Sequence, residues 1–145
     1  IKQLCNYKLP IILATGASNI NEVKNAMETC LNLNKDVCLM QCNTNYTAEL
    51  SNFNYINLNV IDTYRKEFPN LLLGLSDHTP GNSTVLGAIA KGAVVFEKHF
   101  TDDNSREGPD HKFSMNPISW KEMIEKSEEF TEDFVNSLFS ENQIK

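Results

Sequence analysis

The chain has 145 residues, 41% hydrophobic and 22% charged, which is enough for one domain with a sizeable core. Its net charge of −6 argues against a nucleic-acid partner, because phosphate binding needs a basic stripe, but it permits a small anionic substrate. No apolar run approaches the roughly 20 residues that span a bilayer, and the amino end lacks a signal-peptide pattern, so no membrane partner is expected.

The first half of the chain alternates apolar runs with helical patterns. Residues 1–7 are amphipathic and resemble the tail of a helix. A strand is predicted at 11–15, where the apolar run suggests burial on both faces. Asn19 with Glu22 three residues later resembles a capping box, which predicts the start of a helix. A second strand is predicted at 37–42. The helix between the strands carries its apolar residues at helical spacing: Ile20, Val23, Met27, Cys30 and Leu31.

The second half repeats this alternation. A helix with an apolar stripe precedes a third strand at 71–75, and a third helix ends at Gly92 before a fourth strand at 93–98. Asn116 and Pro117 are typical of the start of a last helix, whose continuation beyond 136 stays open. The apolar stripe of the helix before the third strand consists of Ile56, Val60, Ile61, Tyr64 and Phe68.

The four cysteines, Cys5, Cys30, Cys38 and Cys42, show no CxxC spacing. Cys38 and Cys42 share one face of a predicted strand. We interpret all four as small buried side chains of a protein from the reducing cytoplasm. The alternative, thiolate ligands of a metal, is disfavoured by the spacing.

The order of elements indicates an α/β fold with a parallel sheet. Right-handed crossovers leave a doubly wound open sheet or part of a (β/α)8 barrel. All four predicted strands carry polar residues at their carboxyl ends, where barrel active sites lie, and no GxGxxG follows the first strand. We therefore expect residues 1–145 to form a partial (β/α)8 (TIM) barrel domain of about four strand–helix units.

Two histidines, His78 and His99, follow the third and fourth strands at matching positions. Neutral imidazole is the commonest protein ligand of transition metals. Two imidazoles would leave most of the coordination shell to water and substrate, so a bound metal could act as a Lewis acid. The spacing does not separate this reading from two structural, hydrogen-bonded histidines.

Glu97 lies on the same strand face as His99 and is predicted to point inward. A buried carboxylate is costly unless paired, so Glu97 is either an acid–base group or part of an ion pair with Arg106 or a neighbouring lysine. Ser76 is a candidate hydrogen-bond donor to a phosphate or carboxylate, although loop hydroxyls usually only cap turns. Tyr46 fits a packed lid, and Asp110 fits either a projected site acid or a solvated turn.

Five short motifs together resemble the sialic acid synthase family, which makes N-acetylneuraminate, legionaminate and pseudaminate. They occur in the family's order, and the resemblance extends from about Pro10 to Trp120. The motifs are ILATG at 12–16, QCNTNY at 41–46, GLSDHT at 74–79, EKHFT at 97–101 and GPDH at 108–111.

The resemblance implies a barrel enzyme that condenses phosphoenolpyruvate (PEP) with N-acetylmannosamine or a related acylamino hexose, using a divalent metal, typically Mn²⁺, with Mg²⁺ or Co²⁺ as alternatives. By motif, His78 and His99 would bind the metal and Ser76 would contact PEP. Glu97 would be catalytic. Thr44, Tyr46 and Asp110 would bind substrate, with Tyr46, Asp110 and Glu97 facing the acceptor sugar.

The chain also departs from the family pattern. Ala14 stands where many members have a phosphate-binding Ser. The family's first four strand–helix units, with their PEP-binding lysines, and its carboxy-terminal domain, which reaches the sugar across a homodimer, have no counterpart here. We therefore expect a fragment that is inactive alone. Two alternatives remain open: another metal-dependent PEP-condensing or aldolase barrel, and an inactive half-barrel that serves as a binding module.

Overall fold

The structure is a computed structural model that describes residues 1–138. Within these residues, no helix is long and apolar enough to cross a membrane. The elements, in chain order, are α1 (Lys2–Cys5), β1 (Ile11–Ala14), α2 (Ile20–Leu33), β2 (Val37–Cys42), a 3-10 helix (Leu50–Tyr55), α3 (Asn59–Glu67), β3 (Leu72–Asp77), α4 (Ser83–Ala90), β4 (Val95–Lys98) and α5 (Pro117–Leu138).

The four strands form one parallel sheet in the order β1-β2-β3-β4. A doubly wound sheet reverses its strand order at a switch point, whereas consecutive order with right-handed crossovers keeps the helices on one side. The sheet is therefore part of a (β/α) barrel, as the sequence predicted.

The hydrophobic core lies between the sheet and the helices that cover one of its faces. Leu39 of β2 and Leu73 and Leu75 of β3 pack there with Ile61 of α3 and Met27 of α2. Burial on this side is nearly complete, since Leu39, Ile61 and Met27 are 0% exposed. We call this side of the sheet the outer face.

The opposite side, the inner face, carries the alternate residues of each strand. In the observed register these are Ile12, Ala14, Cys38, Met40, Cys42, Leu72, Gly74, Ser76, Val95 and Glu97. The carboxyl end of this face is polar and its amino end is apolar.

Most predicted elements are confirmed, with shifted ends. Strand β3 extends to Asp77, and β4 begins at Val95 instead of residue 93. The capping box of Asn19 and Glu22 is present. The last helix reaches Leu138, and its predicted continuation lies outside the described residues.

Two expectations are wrong. Strand β1 is not buried on both faces, because it is an edge strand and Ile12 on its inner face is 58% exposed. Ile56 is not helical: it lies between the 3-10 helix and α3, where it packs as a buried residue. The turn between these helices passes through Asn57, whose positive φ of 49° is incompatible with one continuous helix.

Candidate functional site

The candidate site lies at the carboxyl ends of β3 and β4. His78 directly follows β3 and His99 directly follows β4, and these strands are hydrogen-bonded neighbours. The centroids of the two imidazole rings are 4.9 Å apart. The sequence-based prediction that the two rings meet at adjacent strand ends is therefore confirmed.

Each imidazole has a polar group beside its Nδ1 atom. Nδ1 of His78 lies 2.6 Å from the backbone oxygen of Asn43. A carbonyl oxygen only accepts, so Nδ1 carries the proton and Nε2 keeps its lone pair in the neutral ring. Nδ1 of His99 lies 3.3 Å from a carboxylate oxygen of Asp110, which favours the same arrangement.

Glu97 lies on the inner face of β4, which is an edge strand of the described sheet, and its side chain is exposed. The hydroxyl of Ser76 donates a hydrogen bond of 2.8 Å to Oε1 of Glu97. The alternative interpretation, an ion pair between Glu97 and Arg106, does not hold. Instead, the Arg106 guanidinium bonds to Asp102 at 2.8 Å and holds the pKa of that carboxyl below its usual value.

Aromatic rings line the histidine pair. The ring centroid of Tyr46 lies 4.1 Å from that of His78 and 5.6 Å from that of His99. The ring of Phe113 is buried, and its centroid lies 5.1 Å from that of His99 and 6.0 Å from that of His78. The local sequence around Phe113 does not predict its position beside the histidines, because that position depends on how the long loop after β4 folds back.

That loop is held in place by a polar network. Backbone hydrogen bonds join His99 and Thr101 to Met115, which pins the end of the loop beside β4. Thr101 is buried, and its hydroxyl lies 2.7 Å from Nδ1 of His111. The loop therefore presents Asp110 to His99 through a fixed path rather than as a free turn.

Thr44 is the one predicted site residue that lies apart from this cluster. Its side chain packs over Gly16, and it lines a separate cavity of about 350 Å³ beside the ends of β1 and β2. In that cavity the buried hydroxyl of Tyr64 donates to Thr15 at 2.8 Å. The prediction for Thr44 as a substrate contact stays a prediction.

The residues present fit a bound divalent cation only in part. Within residues 1–138, no group of three or more His, Cys, Asp or Glu side chains is arranged to hold a metal. The two imidazole rings nevertheless lie 4.9 Å apart between centroids, and their Nδ1 atoms have the carbonyl and carboxylate neighbours typical of metal-ligating histidines. Such a pair leaves the other coordination positions for water or substrate.

Comparison with known proteins identifies a family for the chain. The sequence profile described as the NeuB family matches residues 1–136. The chain is 40% identical over 124 residues to N,N'-diacetyllegionaminic acid synthase of Campylobacter jejuni, covering 83% of this chain and 36% of that protein. It is 31% identical over 115 residues to human N-acetylneuraminate-9-phosphate synthase, covering 79% and 31%.

Among solved structures, the chain resembles the spore coat polysaccharide biosynthesis protein SpsE of Bacillus subtilis. The TM-score is 0.85 at 31% identity, over 94% of this chain and 38% of that one. The chain spans about a third of the length of the curated relatives that it matches.

Proposed function

The chain belongs to the NeuB family, and on that premise we propose that it carries the metal-binding strands of a sialic-type acid synthase. The proposed reaction condenses PEP with N-acetylmannosamine or a related acylamino sugar. The relatives named as synthases of diacetyllegionaminate and of N-acetylneuraminate-9-phosphate support this class of product. The observation that carries the proposal is the pair of imidazole rings at adjacent strand ends, whose centroids are 4.9 Å apart.

In this proposal Nε2 of His78 and Nε2 of His99 would hold the divalent metal, most simply Mn²⁺, with Mg²⁺ or Co²⁺ as alternatives. When bound, the metal supplies Lewis-acid polarisation of the open-chain aldehyde. The carbonyl of Asn43 and the carboxylate of Asp110 keep the two rings in the tautomer that binds.

Glu97 and Ser76 have separate roles in the proposal. Ser76 occupies one carboxylate oxygen of Glu97 and leaves the other oxygen available. Because Glu97 faces the open inner side of the sheet, that free oxygen would orient the acceptor aldehyde or the attacking water. Ser76 would also contact PEP, while Tyr46 and Asp110 would face the sugar and Thr44 would bind substrate from the neighbouring loop.

The bond changes balance without further reactants. Carbon 3 of PEP bonds to the aldehyde carbon, and the aldehyde oxygen takes up a proton to become a hydroxyl. Water adds at carbon 2 of PEP, and phosphate then leaves from that carbon to give the 2-keto acid. Since both substrates are placed in one site, positioning supplies a large share of the rate.

The test incubates the protein with PEP, N-acetylmannosamine and Mn²⁺, and measures both phosphate release and the nine-carbon acid by mass spectrometry. If the chain alone is inactive, the amino-terminal strands of the Campylobacter relative are supplied in trans. We expect product in the complete barrel. Replacing Glu97→Gln should lower the rate by about 10²-fold or more, the usual effect of losing an acid–base group, while the exposed helical control Glu122→Gln should not.

Other outcomes identify the competing functions. Phosphate release with a different aldehyde, and none with N-acetylmannosamine, would indicate another PEP-condensing barrel. No phosphate release with any aldehyde from a correctly folded complementary pair would refute the synthase proposal and favour a binding module. A His78→Ala/His99→Ala variant that binds Mn²⁺ as tightly as the unmodified protein would remove the assignment of the two ligands.

A further inference from the structure

A buried ion pair lies on the outer face of the sheet, directly behind the site. Lys98 Nζ is 2.6 Å from Oδ2 of Asp77, and the two side chains are 2% and 0% exposed. The two residues are register partners on β4 and β3. Asp77 immediately precedes His78, and Lys98 stands between Glu97 and His99.

This pair is the centre of a larger network. Lys98 Nζ also donates to the backbone oxygen of Thr79 at 2.6 Å. Asp77 accepts from the backbone N–H of Thr79 at 3.0 Å and from its hydroxyl at 2.9 Å. The hydroxyl of Thr84, at the start of α4, also bonds to Asp77. Residues on both sides of His78 are thereby tied to the strand that carries His99.

Stability alone does not account for these charges. Removing a lysine and a carboxylate from water is costly, and an apolar pair of similar volume is often as stable or more stable. The fixed directions of the hydrogen bonds are what an apolar pair cannot replace, because they set the course of the Asp77–Thr79 backbone. That backbone carries the His78 ring.

We propose that Lys98 and Asp77 are positioning residues that set the spacing of the His78 and His99 rings from behind the sheet. Side chains alternate across a strand, so the pair supports the site without touching its inner face. The inference rests on the proposed function only insofar as the rings bind a metal. The spacing itself is a property of the metal-free protein.

The test replaces the whole pair by apolar residues, Lys98→Met/Asp77→Leu, so that no buried charge is left unpaired. The matched control, Lys24→Met/Glu67→Leu, removes an ion pair of 2.7 Å between partly exposed side chains on the protein surface. Three quantities are measured. They are the midpoint temperature of thermal unfolding, the Mn²⁺ affinity by electron paramagnetic resonance, and the nuclear Overhauser effect between the His78 and His99 ring protons in the metal-free protein.

We expect both double variants to fold. The buried double variant should bind Mn²⁺ about tenfold or more weakly, the scale seen when groups that orient metal ligands are removed, and its ring-to-ring Overhauser effect should be lost. The control should keep both. A folded buried variant with unchanged affinity and an unchanged Overhauser effect would overturn the proposal.

Two further outcomes are informative. If no protein binds Mn²⁺ but the Overhauser effect is lost only in the buried double variant, the metal assignment fails and the positioning role stands. If the buried double variant does not fold, Thr79→Val decides. It removes one hydroxyl from the network, so a several-fold loss of Mn²⁺ affinity would support the role and wild-type affinity would overturn it.

Discussion

At the scale of single residues, the site depends on groups that occupy one side of each reactive side chain. The carbonyl of Asn43 takes one nitrogen of His78, Asp110 takes one nitrogen of His99, and Ser76 takes one oxygen of Glu97. In each case the remaining atom is the one free to meet a ligand. Each of the three side chains is thus held on one side before any substrate arrives.

The surroundings of a single residue also predict how fast the Cys30 thiol reacts. Burial, together with a hydrogen bond to Cys5, raises the pKa of Cys30 to about 11. At about pH 8 the thiolate fraction is then roughly 100-fold below that of an ordinary thiol, so we expect alkylation of Cys30 in the folded chain to be at least that much slower than in urea. Peptide mass spectrometry after a timed iodoacetamide pulse measures both rates.

The pH dependence supplies the control. Below its pKa a thiol gains about tenfold in thiolate per pH unit, so the folded rate at Cys30 should still rise between pH 9 and about pH 10. The unfolded rate should level off there, because its pKa is near 9.0. Equal folded and unfolded rates, or matching pH profiles, would contradict the burial of this thiol.

Sequence reasoning at this scale identified residues whose chemistry is visible in a motif and missed those defined by packing. His78, His99 and Glu97 stand at strand ends, where alternation predicts their shared face. Phe113 reaches the site only because its loop folds back. The partner of Lys98 depends on the register of two strands that are 21 residues apart, which alternation alone does not specify.

At the scale of elements, the strands were predictable because an apolar run that ends in polar residues marks a parallel strand and its active-site end. Their exact ends were not, because Ser76 and Asp77 are polar yet continue β3. Both are buried, and their polar atoms are satisfied by hydrogen bonds, Ser76 to Glu97 and Asp77 to Lys98. Tertiary hydrogen bonds therefore extend a strand that local propensity would end.

One glycine shows how closely β3 approaches the strands on either side of it. A Cβ added at Gly74 in β3 would lie 2.6 Å from the backbone oxygen of Val95 and 3.0 Å from Met40 Cγ. Because backbone must move to accommodate it, we expect Gly74→Ala to lower the free energy of unfolding by about 1–3 kcal/mol. Urea unfolding followed by circular dichroism measures the loss.

Gly87 in α4 is the matched control. A Cβ there would lie 2.8 Å from Leu58 Cδ1, the flexible end of a side chain that can turn away. Alanine also gains up to about 1 kcal/mol over glycine in a helix interior. We therefore expect Gly87→Ala to be neutral or slightly stabilising. If both variants lost the same free energy of unfolding, the contact with the β4 backbone would not be the cause of the loss at Gly74.

At the scale of the whole molecule, the outer face of the sheet is covered and the inner face is covered only in part: Met40 and Ser76 are buried there, whereas Ile12 and Leu72 are exposed. Helices α2 to α4 cover the outer face, and the carboxyl end of the inner face holds the site. The amino end of the inner face carries Ile12 and Leu72, on either side of Cys38 in the same row. The sequence predicted the parallel sheet, but it could not give this exposure, which depends on what lies opposite the sheet.

The exposed apolar residues at the amino end of the inner face predict that the 145-residue chain self-associates in solution. Ile12 and Leu72 are 58% and 60% exposed, and β1 and β4 are edges of the described sheet. Exposed apolar surface beside open strand edges promotes association, so we expect sedimentation velocity to show concentration-dependent self-association.

The double variant Ile12→Lys/Leu72→Lys should reduce this self-association. Leu50→Lys/Tyr55→Lys, which adds the same charge at exposed positions of the 3-10 helix, should not. An equal reduction by both would indicate a charge effect, and the inner face would then not be the contact.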